Sequence, residues 1–199
     1  MATKVNFTLI QGETWERVVR WEQGTYVYRN ITGITKAAPV VLHVPGHDLL
    51  DGWRFAVSNV VGMTQINAKN EPPTDEEYHV AKYVDTDHVE INALNGLGFS
   101  TYTSGGVIRY RPPEDLTSYT ARMYLRKSAK SASPYFQMTS EDGHIVINNT
   151  TKTITLKLSD EETEAFTFTR ARYDLEMVRG GEVAIPMFGE FTVTKNITK

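Results

Sequence analysis

Hydrophobic and polar residues tend to alternate along much of this chain. The alternation is clearest at residues 15–21, 119–126, 153–158, 172–177 and 191–193. Successive side chains of a β-strand point to opposite faces of its sheet, so this pattern is typical of strands with one buried face. The runs are short and rich in β-branched and aromatic residues, which suit a pleated surface. They predict an all-β fold of the sandwich or barrel type.

One short helix is predicted among the strands. The run Ser159-Asp160-Glu161-Glu162 has the pattern of a capping box, in which the serine accepts a hydrogen bond from the second glutamate's amide and that glutamate reaches back. The threonines that follow are poor helix formers, so we expect one or two turns over residues 160–166. The acidic residues indicate a helix cap rather than a metal site, which would need further carboxylates from elsewhere in the fold.

The middle of the chain has a different composition. Residues 31–106 hold eight of the 14 glycines, with strands predicted near 40–44, 54–60, 77–84 and 88–94. Glycines between short strands indicate tight turns and favour a compact barrel. Two similar aromatic and basic strands, Tyr26–Arg29 and Val107–Arg111, flank this segment, and their antiparallel pairing would bring its ends together. We therefore expect residues 30–106 to form a small β-barrel-like domain, inserted into an outer β-sandwich of residues 1–29 and 107–199.

Composition excludes several classes of protein. The 21 basic and 24 acidic residues give a net charge of −3, which argues against nucleic acid as the main partner because such binders need a basic excess. There is no cysteine, so disulfides, thiolate catalysis and cysteine-ligated zinc are excluded. No apolar run is long enough to span a membrane, and the first 14 residues do not resemble a signal peptide. We expect no membrane partner.

The histidines and carboxylates do not predict a catalytic or metal site. The histidines lack close ligand spacing, and Pro45-Gly46 separates His43 from His47, which we expect to fix its own turn. The other three are His79, His88 and His144. No Gly-x-Ser-x-Gly elbow or glycine-rich phosphate loop is present. A glycosidase pair would have to come from Asp85, Asp87, Glu114 and Asp115, which are candidates only by default. The sequence predicts a protein that is not an enzyme and has no metal or cofactor.

Two groups of residues are candidates for contacts with partners. The strand Arg109-Tyr110-Arg111, near Tyr28 and Arg29, could form a small nucleic-acid patch, but Arg and Tyr are enriched at protein interfaces and we favour packing against a neighbouring subunit or cover over the domain junction. Several aromatic residues fall in or beside predicted turns. They could seal the ends of a domain or anchor a partner, and both interpretations stay open. They are Trp53, Phe99, Tyr102 and Phe188.

The outer segments resemble a family of small tail and baseplate proteins of tailed phages. The resemblance rests on a strand followed by Gln11-Gly12-Glu13-Thr14, a strand that ends at Trp21, and the run 115–123, Asp-Leu-Thr-Ser-Tyr-Thr-Ala-Arg-Met. Ser118 stands where the family usually has glycine. The C-terminal half continues the pattern through the runs 154–159, 172–176 and 189–193.

The middle segment resembles a β-module that is common in phage structural proteins and is often labelled after a domain of ubiquitin-activating enzymes. Its most specific runs are Val60–Asn67, Val-Val-Gly-Met-Thr-Gln-Ile-Asn, and Tyr102–Gly106, Tyr-Thr-Ser-Gly-Gly. The label implies no ubiquitin chemistry, because this chain has neither the nucleotide-binding glycine motif nor a cysteine.

These resemblances imply a structural component of a phage virion, made in the cytoplasm of the bacterial host. The function they imply is a tail or baseplate adaptor that docks into a symmetric ring, forms a homo-oligomer in the particle and contacts neighbouring tail proteins or fibres. Two alternatives stay open. One is a receptor- or glycan-binding module at the tail tip, with the turn aromatics of the insert as the reader, and the other is a capsid decoration protein.

Overall fold

The computed structural model describes residues 2–197, and it confirms an all-β protein with one short α-helix. Two single 3-10 turns, Thr64–Ile66 and Asp75–Glu77, interrupt the strands. None of the helices among these residues is long and apolar enough to cross a membrane. The helix, α1, spans Asp160–Glu164. The strands in chain order are β1 (Thr3–Lys4), β2 (Phe7–Ile10), β3 (Trp15–Val19), β4 (Val27–Asn30), β5 (Gly33–Ile34), β6 (Val41–His43), β7 (Arg54–Val61), β8 (His79–Tyr83), β9 (His88–Ile91), β10 (Ser104–Tyr110), β11 (Thr120–Leu125), β12 (Phe136–Thr139), β13 (Ile145–Asn148), β14 (Thr153–Leu158), β15 (Arg170–Arg179) and β16 (Glu182–Thr194).

The chain divides into two compact units. One is discontinuous and consists of Met1–Trp21 with Pro113–Lys199, and the other is Glu22–Pro112. The boundaries that the sequence predicts for the insert, residues 30 and 106, lie inside this range. The flanking strands β4 and β10 do pair antiparallel, with Arg109 opposite Tyr28, but β10 also pairs with β7 in the middle of the insert. Both flanking strands are therefore part of the inserted unit's own sheet.

The discontinuous unit is a β-sandwich. Its first sheet has the order β1-β16-β15-β11-β12, with β2 paired parallel to the end of β16, and its second sheet has the order β13-β14-β3. Alternate residues of each strand point into one shared core, as the sequence pattern predicted. Trp15 of β3 lies edge-on to Phe7 and Phe191 of the first sheet, with ring centroids 5.3 and 5.2 Å apart. These contacts join the two sheets.

A β-bulge shapes the long hairpin of β15 and β16. Leu175 pairs with Met187, whereas Met177 pairs with Ala184, so Ile185 and Pro186 together stand opposite Glu176. Proline has no N–H to give to the ladder, and a bulge is one of the few places within a sheet that accept it. The parallel partner β1 joins β16 only from Met187 onward. The first five residues of β16 therefore pair with β15 alone.

The predicted capping box of α1 is confirmed. The Ser159 hydroxyl accepts from the amide of Glu162 at 3.2 Å, and the Glu162 carboxylate accepts from the amide of Ser159 at 2.8 Å. The helix ends at Glu164 rather than at residue 166. Phe166 is instead buried in the sandwich core, where its ring packs 5.3 Å from that of Phe136. The burial of this ring draws the chain out of the helix toward β15.

The inserted unit is a small barrel-like sheet. Its strand order is β4-β10-β7-β8-β9-β6-β5, with every pair antiparallel. The strands at the two ends of this order, β4 and β5, are consecutive segments of one bent stretch of chain. Between them Ile31 donates to the Gly106 carbonyl of β10, and Thr32 donates to the His43 carbonyl of β6. The sheet thus returns on itself around a second core that includes Leu42, Trp53, Phe55, Val57 and Ile108.

Candidate functional site

The turn aromatics do not form an exposed reader on the inserted unit. Trp53 is 1% exposed, and its indole N–H donates to the Arg111 carbonyl at 2.7 Å, so it belongs to the core. Phe99 and Tyr102 pack against the same core, and the Tyr102 hydroxyl donates to the Gly105 carbonyl at 3.0 Å. Phe188 lies within β16 rather than in a turn, and it is 39% exposed. Of the four, it is the one with substantial exposed ring surface.

The basic-aromatic strand is engaged inside its own unit. The Arg109 guanidinium is buried, lies 4.8 Å from the centroid of the Tyr26 ring and forms an ion pair with Glu71. Arg111 lies 4.6 Å from the centroid of the same ring. Arginine stacked on an aromatic ring and paired with a carboxylate has little capacity left for phosphate. The strand was expected to pack against a neighbouring subunit or to cover the domain junction, and these contacts lie within its own unit.

The same cluster continues onto a second tyrosine. Arg54 lies 4.8 Å from the centroid of the Tyr78 ring and contacts Asp75 at 2.8 Å. The Tyr78 and Tyr26 hydroxyls are 3.5 Å apart, and burial together with that contact raises the pKa of Tyr78 to about 12. Burial also raises the pKa of Glu22, against the opposing pull of Arg54 and Arg111. The arrangement neutralises its own charges and holds strands together.

His47 fixes its own turn, as expected. It is fully buried, its Nδ1 accepts from the amide of Leu49 at 2.9 Å, and its Nε2 lies 2.8 Å from the Asp85 carbonyl. An acceptor at Nδ1 and a donor at Nε2 define one neutral tautomer. The Tyr110 hydroxyl donates to the His47 carbonyl at 2.6 Å. These hydrogen bonds give His47 a structural role.

The other four histidines lie at three separate places in the fold. His43 and His88 are opposite each other on β6 and β9 with their rings stacked 4.6 Å apart. His79 contacts the Ile66 carbonyl at 3.1 Å, and His144 lies between two carboxylates of the sandwich. Across residues 2–197, no group of three or more His, Asp and Glu side chains has an arrangement that could hold a metal ion.

The three aspartates that were considered for a glycosidase pair stabilise turns. Asp85 accepts from the amides of Asp87 and His88, both at 2.8 Å, and Asp87 accepts from the amide of Gly46 at 3.0 Å. Asp115 accepts from the Thr117 hydroxyl at 2.9 Å. That bond, the Thr117 amide and nearby Lys152 lower the pKa of Asp115 to about 2, so it is ionised at neutral pH. These contacts order the loops in which the three aspartates lie.

The runs that carry the resemblance in the inserted unit pack against each other. Gly62, at φ +90°, leaves room for the backbone of the facing run, since a Cβ there would be 2.2 Å from the Thr101 carbonyl oxygen. A Cβ at Gly106 would be 2.6 Å from a Val60 methyl. The Asn67 side chain bonds both the amide and the carbonyl of Val60, at 2.9 and 3.0 Å. These residues determine how the chain folds.

The runs of the sandwich have a similar structural role. The Gln11 side chain donates to the carbonyls of Glu164 and Phe166 at 2.8 and 3.0 Å, and the Thr163 hydroxyl donates to the Glu13 carbonyl at 2.8 Å. The β2–β3 turn is thereby tied to α1. Ser118 adopts φ +60°, a left-handed conformation that glycine takes up more readily than other residues.

A groove of about 310 Å³ lies on the outer face of the sandwich's first sheet, where sequence reasoning placed no site. Asp174 of β15 lies at its centre. Phe188 of β16 is directly opposite Asp174, and Tyr124 of β11 comes from the strand on the other side. The two aromatic side chains thus flank a carboxylate. The alternation of β11 and β15 placed these residues on a solvent face, but the sequence did not show which of them would be neighbours.

The two ends of the groove differ in charge. At one end Arg122 forms an ion pair with Glu176 on the neighbouring strand. At the other end Arg126 and Arg172 are directly opposite, joined by backbone hydrogen bonds of 2.9 and 2.7 Å. Arg126 gives its Nη1 to the Ser131 carbonyl at 2.9 Å and lies 5.5 Å from the centroid of the Tyr124 ring. The pair of arginines makes this end positive.

Two charged side chains of the groove are without a partner in the part of the chain that the structure describes. Neither the Arg172 guanidinium nor the Asp174 carboxylate has a hydrogen bond or ion pair there. Arg172 is opposite a like charge, Arg126, on one side and an opposite charge, Glu190 of β16, on the other, so only its pairing with Arg126 is unfavourable. A concave surface with free polar groups between aromatic side chains has the features of a binding site.

Comparison with known protein families gave no matching family, and comparison with curated proteins gave no matching protein. The fold, the packing of its recognisable runs and the groove are therefore the observations from which a function is proposed.

Proposed function

We propose that this chain is a non-enzymatic structural component of a tailed-phage virion, an adaptor of the tail or baseplate. The observation that carries the proposal is the structural role of the runs that resemble phage tail proteins and the phage β-module. Gly62, Gly106 and Asn67 join the segments of the inserted unit, and Gln11 and Thr163 join the turn and helix of the sandwich. Residues with these roles preserve a scaffold, which is what a family of structural subunits has in common.

The free edge of β16 is the surface that we assign to docking within a ring. Its first five residues pair with β15 alone, and Val183 and Ile185 there are 51% and 43% exposed. An unpaired edge with aliphatic side chains is a template for contact with another chain. A neighbouring tail protein or a second copy of this chain would cover it in the particle, consistent with a homo-oligomeric ring.

Quantitative mass spectrometry of purified particles tests the proposal. The phage that encodes this chain is grown, its particles are banded by density, and tails are separated from capsids. The chain is expected in the tail fraction at a fixed, integral ratio to the other tail subunits. Its absence from purified particles would refute a structural role, and its presence in the capsid fraction alone would favour decoration of the capsid instead.

A role in receptor recognition is the second candidate, and a different observation favours it than the one expected from the sequence. The aromatics of the inserted unit are packed inside, but the groove on the sandwich presents Tyr124, Phe188 and two unpartnered charges.

A further inference from the structure

We propose that the groove on the outer face of the sandwich binds one acidic sugar residue, a pyranose ring that carries a carboxylate. The assignment rests on the groove alone and is independent of the role proposed for the whole chain. Its volume of about 310 Å³ is at the lower end of the range for small-molecule sites. A site of this size takes a single small residue rather than a folded partner.

The aromatic residues supply the surfaces against which a sugar ring packs. Tyr124 is half-buried and Phe188 is exposed, and they lie on β11 and β16, on either side of β15. Neighbouring strands are about 4.8 Å apart, so the two side chains are separated by roughly twice that distance. The C–H groups of a pyranose present an apolar face that packs against an aromatic ring, and this spacing leaves room for one such ring above β15.

The central carboxylate is a hydrogen-bond acceptor for hydroxyl groups. Asp174 is exposed between the aromatic residues, and its carboxylate has no hydrogen bond or ion pair with any of residues 2–197. An ionised carboxylate has about four acceptor positions, enough to receive two adjacent sugar hydroxyls. Nearby Glu176 cannot take this role as readily, because it is paired with Arg122.

The arginines at the positive end select an acidic ligand. The Arg172 guanidinium has no hydrogen bond or ion pair within the described chain, and Arg126 opposite it uses one guanidinium nitrogen on Ser131. A guanidinium binds a carboxylate through two parallel hydrogen bonds, which are about twice as strong as neutral ones. A ligand carboxylate between the arginines would also relieve their repulsion. A neutral sugar would leave the Arg172 guanidinium without an ion pair, since Glu190 lies opposite Arg172 on β16 but does not pair with it.

Titration of the full-length chain with three probes, followed by two-dimensional NMR of the backbone amides, tests the proposal. The probes are glucuronic acid, glucose and an oligoglutamate peptide. Glucuronic acid is expected to bind with a Kd of about 1 mM, as befits a single subsite, and to shift amides at residues 122–126, 172–176 and 188–189. Glucose is expected to bind at least about tenfold more weakly, since it lacks the carboxylate that pairs with arginine.

Matched variants assign the effect to the groove. Arg172→Met keeps much of the side chain's length but removes the charge, and it is expected to weaken glucuronic acid binding about tenfold. Asp174→Asn is expected to weaken the binding of both glucuronic acid and glucose. Arg170→Met, on the same face of β15 but outside the groove, is the control and should leave binding unchanged.

Three results would overturn the proposal. The first is no shift at the groove with glucuronic acid at about ten times the expected Kd. The second is equal binding of glucose and glucuronic acid, which would remove the role of Arg172. The third is binding of oligoglutamate without binding of either sugar, which would identify the groove as a contact for an acidic protein segment.

Discussion

The imidazole Nε2 of His144 lies 2.6 Å from Oε1 of Glu162, the carboxylate that also closes the cap of α1. One glutamate therefore links the start of the helix to the β12–β13 turn. His144 Nδ1 lies 2.7 Å from Asp142, in an ion contact without hydrogen-bond alignment. Burial alone would lower the pKa of His144, but Glu162 and Asp142 outweigh burial and raise the pKa above its ordinary value of 6.5.

This cluster predicts a pH dependence of stability. The raised pKa of His144 stabilises the fold fully below pH 6.5, and this contribution is lost as pH rises through the folded-state pKa. Burial acts to raise the pKa of Glu162, but bonds to Ser159 and His144 leave it below its ordinary value of 4.5, so that contribution is lost in acid. His144→Gln should therefore cost most between about pH 5 and 6, about 1 kcal/mol for a partly exposed cluster, and progressively less above pH 7.

Urea unfolding at several pH values measures this difference. Glu161→Gln, on the exposed side of α1, is the control and should change stability equally at every pH. A cost of His144→Gln that stays constant from pH 5 to pH 8 would contradict the assigned pKa direction.

The two tryptophans buried in the cores differ in whether their indole N–H groups have a hydrogen-bond partner. Trp53 donates to the Arg111 carbonyl at 2.7 Å, whereas the Trp15 Nε1 is buried with no partner among the described residues. Both changes to phenylalanine leave a cavity, but only Trp53→Phe also breaks a buried hydrogen bond. We expect Trp53→Phe to cost about 1–2 kcal/mol more than Trp15→Phe in chemical denaturation. Equal costs would show that the bond adds little to the inserted unit.

The surroundings of Gly62 leave no room for even a methyl group. Its φ of +90° disfavours any L side chain, and a Cβ would be 2.2 Å from the Thr101 carbonyl oxygen. Gly62→Ala should destabilise the inserted unit by at least about 2 kcal/mol. Gly98→Ala is the matched control, because a Cβ there meets nothing within 4 Å, and thermal unfolding should barely change. Similar effects of the two changes would argue against the packing of the two runs.

The free edge of β16 predicts a variant that folds but does not assemble. Val183→Lys with Ile185→Lys places two charges on the proposed docking surface, where an unpaired buried charge would weaken association by at least about tenfold. The circular dichroism spectrum and Tm should be unchanged, since both side chains are exposed in the free chain. Incorporation into particles is then measured by complementation. Val18→Lys, equally exposed on the second sheet, is expected to be incorporated normally.

Local sequence patterns identified the strands and the helix better than they identified which strands lie next to each other. Period-two alternation identified β11, β14 and β15, and the capping box identified α1, because both are set by a few consecutive residues. The pairing of β4 with β10 was expected from their similar sequences, whereas the pairing of β10 with β7 was not, because it depends on register between distant segments. Local sequence carries little information on such register.

The same lack of information on strand register explains why the surroundings of Trp53 and the groove were not predicted from the sequence. Trp53 follows a glycine in a turn, which suggested exposure, yet the turn directs its side chain into the barrel. The groove needed three strands in register to bring Tyr124, Asp174 and Phe188 together, and no run of consecutive residues records that arrangement.

A cryo-electron microscopy map of the intact phage tests the central claim most directly. The account predicts density for the sandwich and the barrel-like unit in each subunit of a symmetric ring of the tail or baseplate, with the Val183 and Ile185 edge of β16 covered by a neighbouring chain. A complete tail with no density for this fold would contradict it.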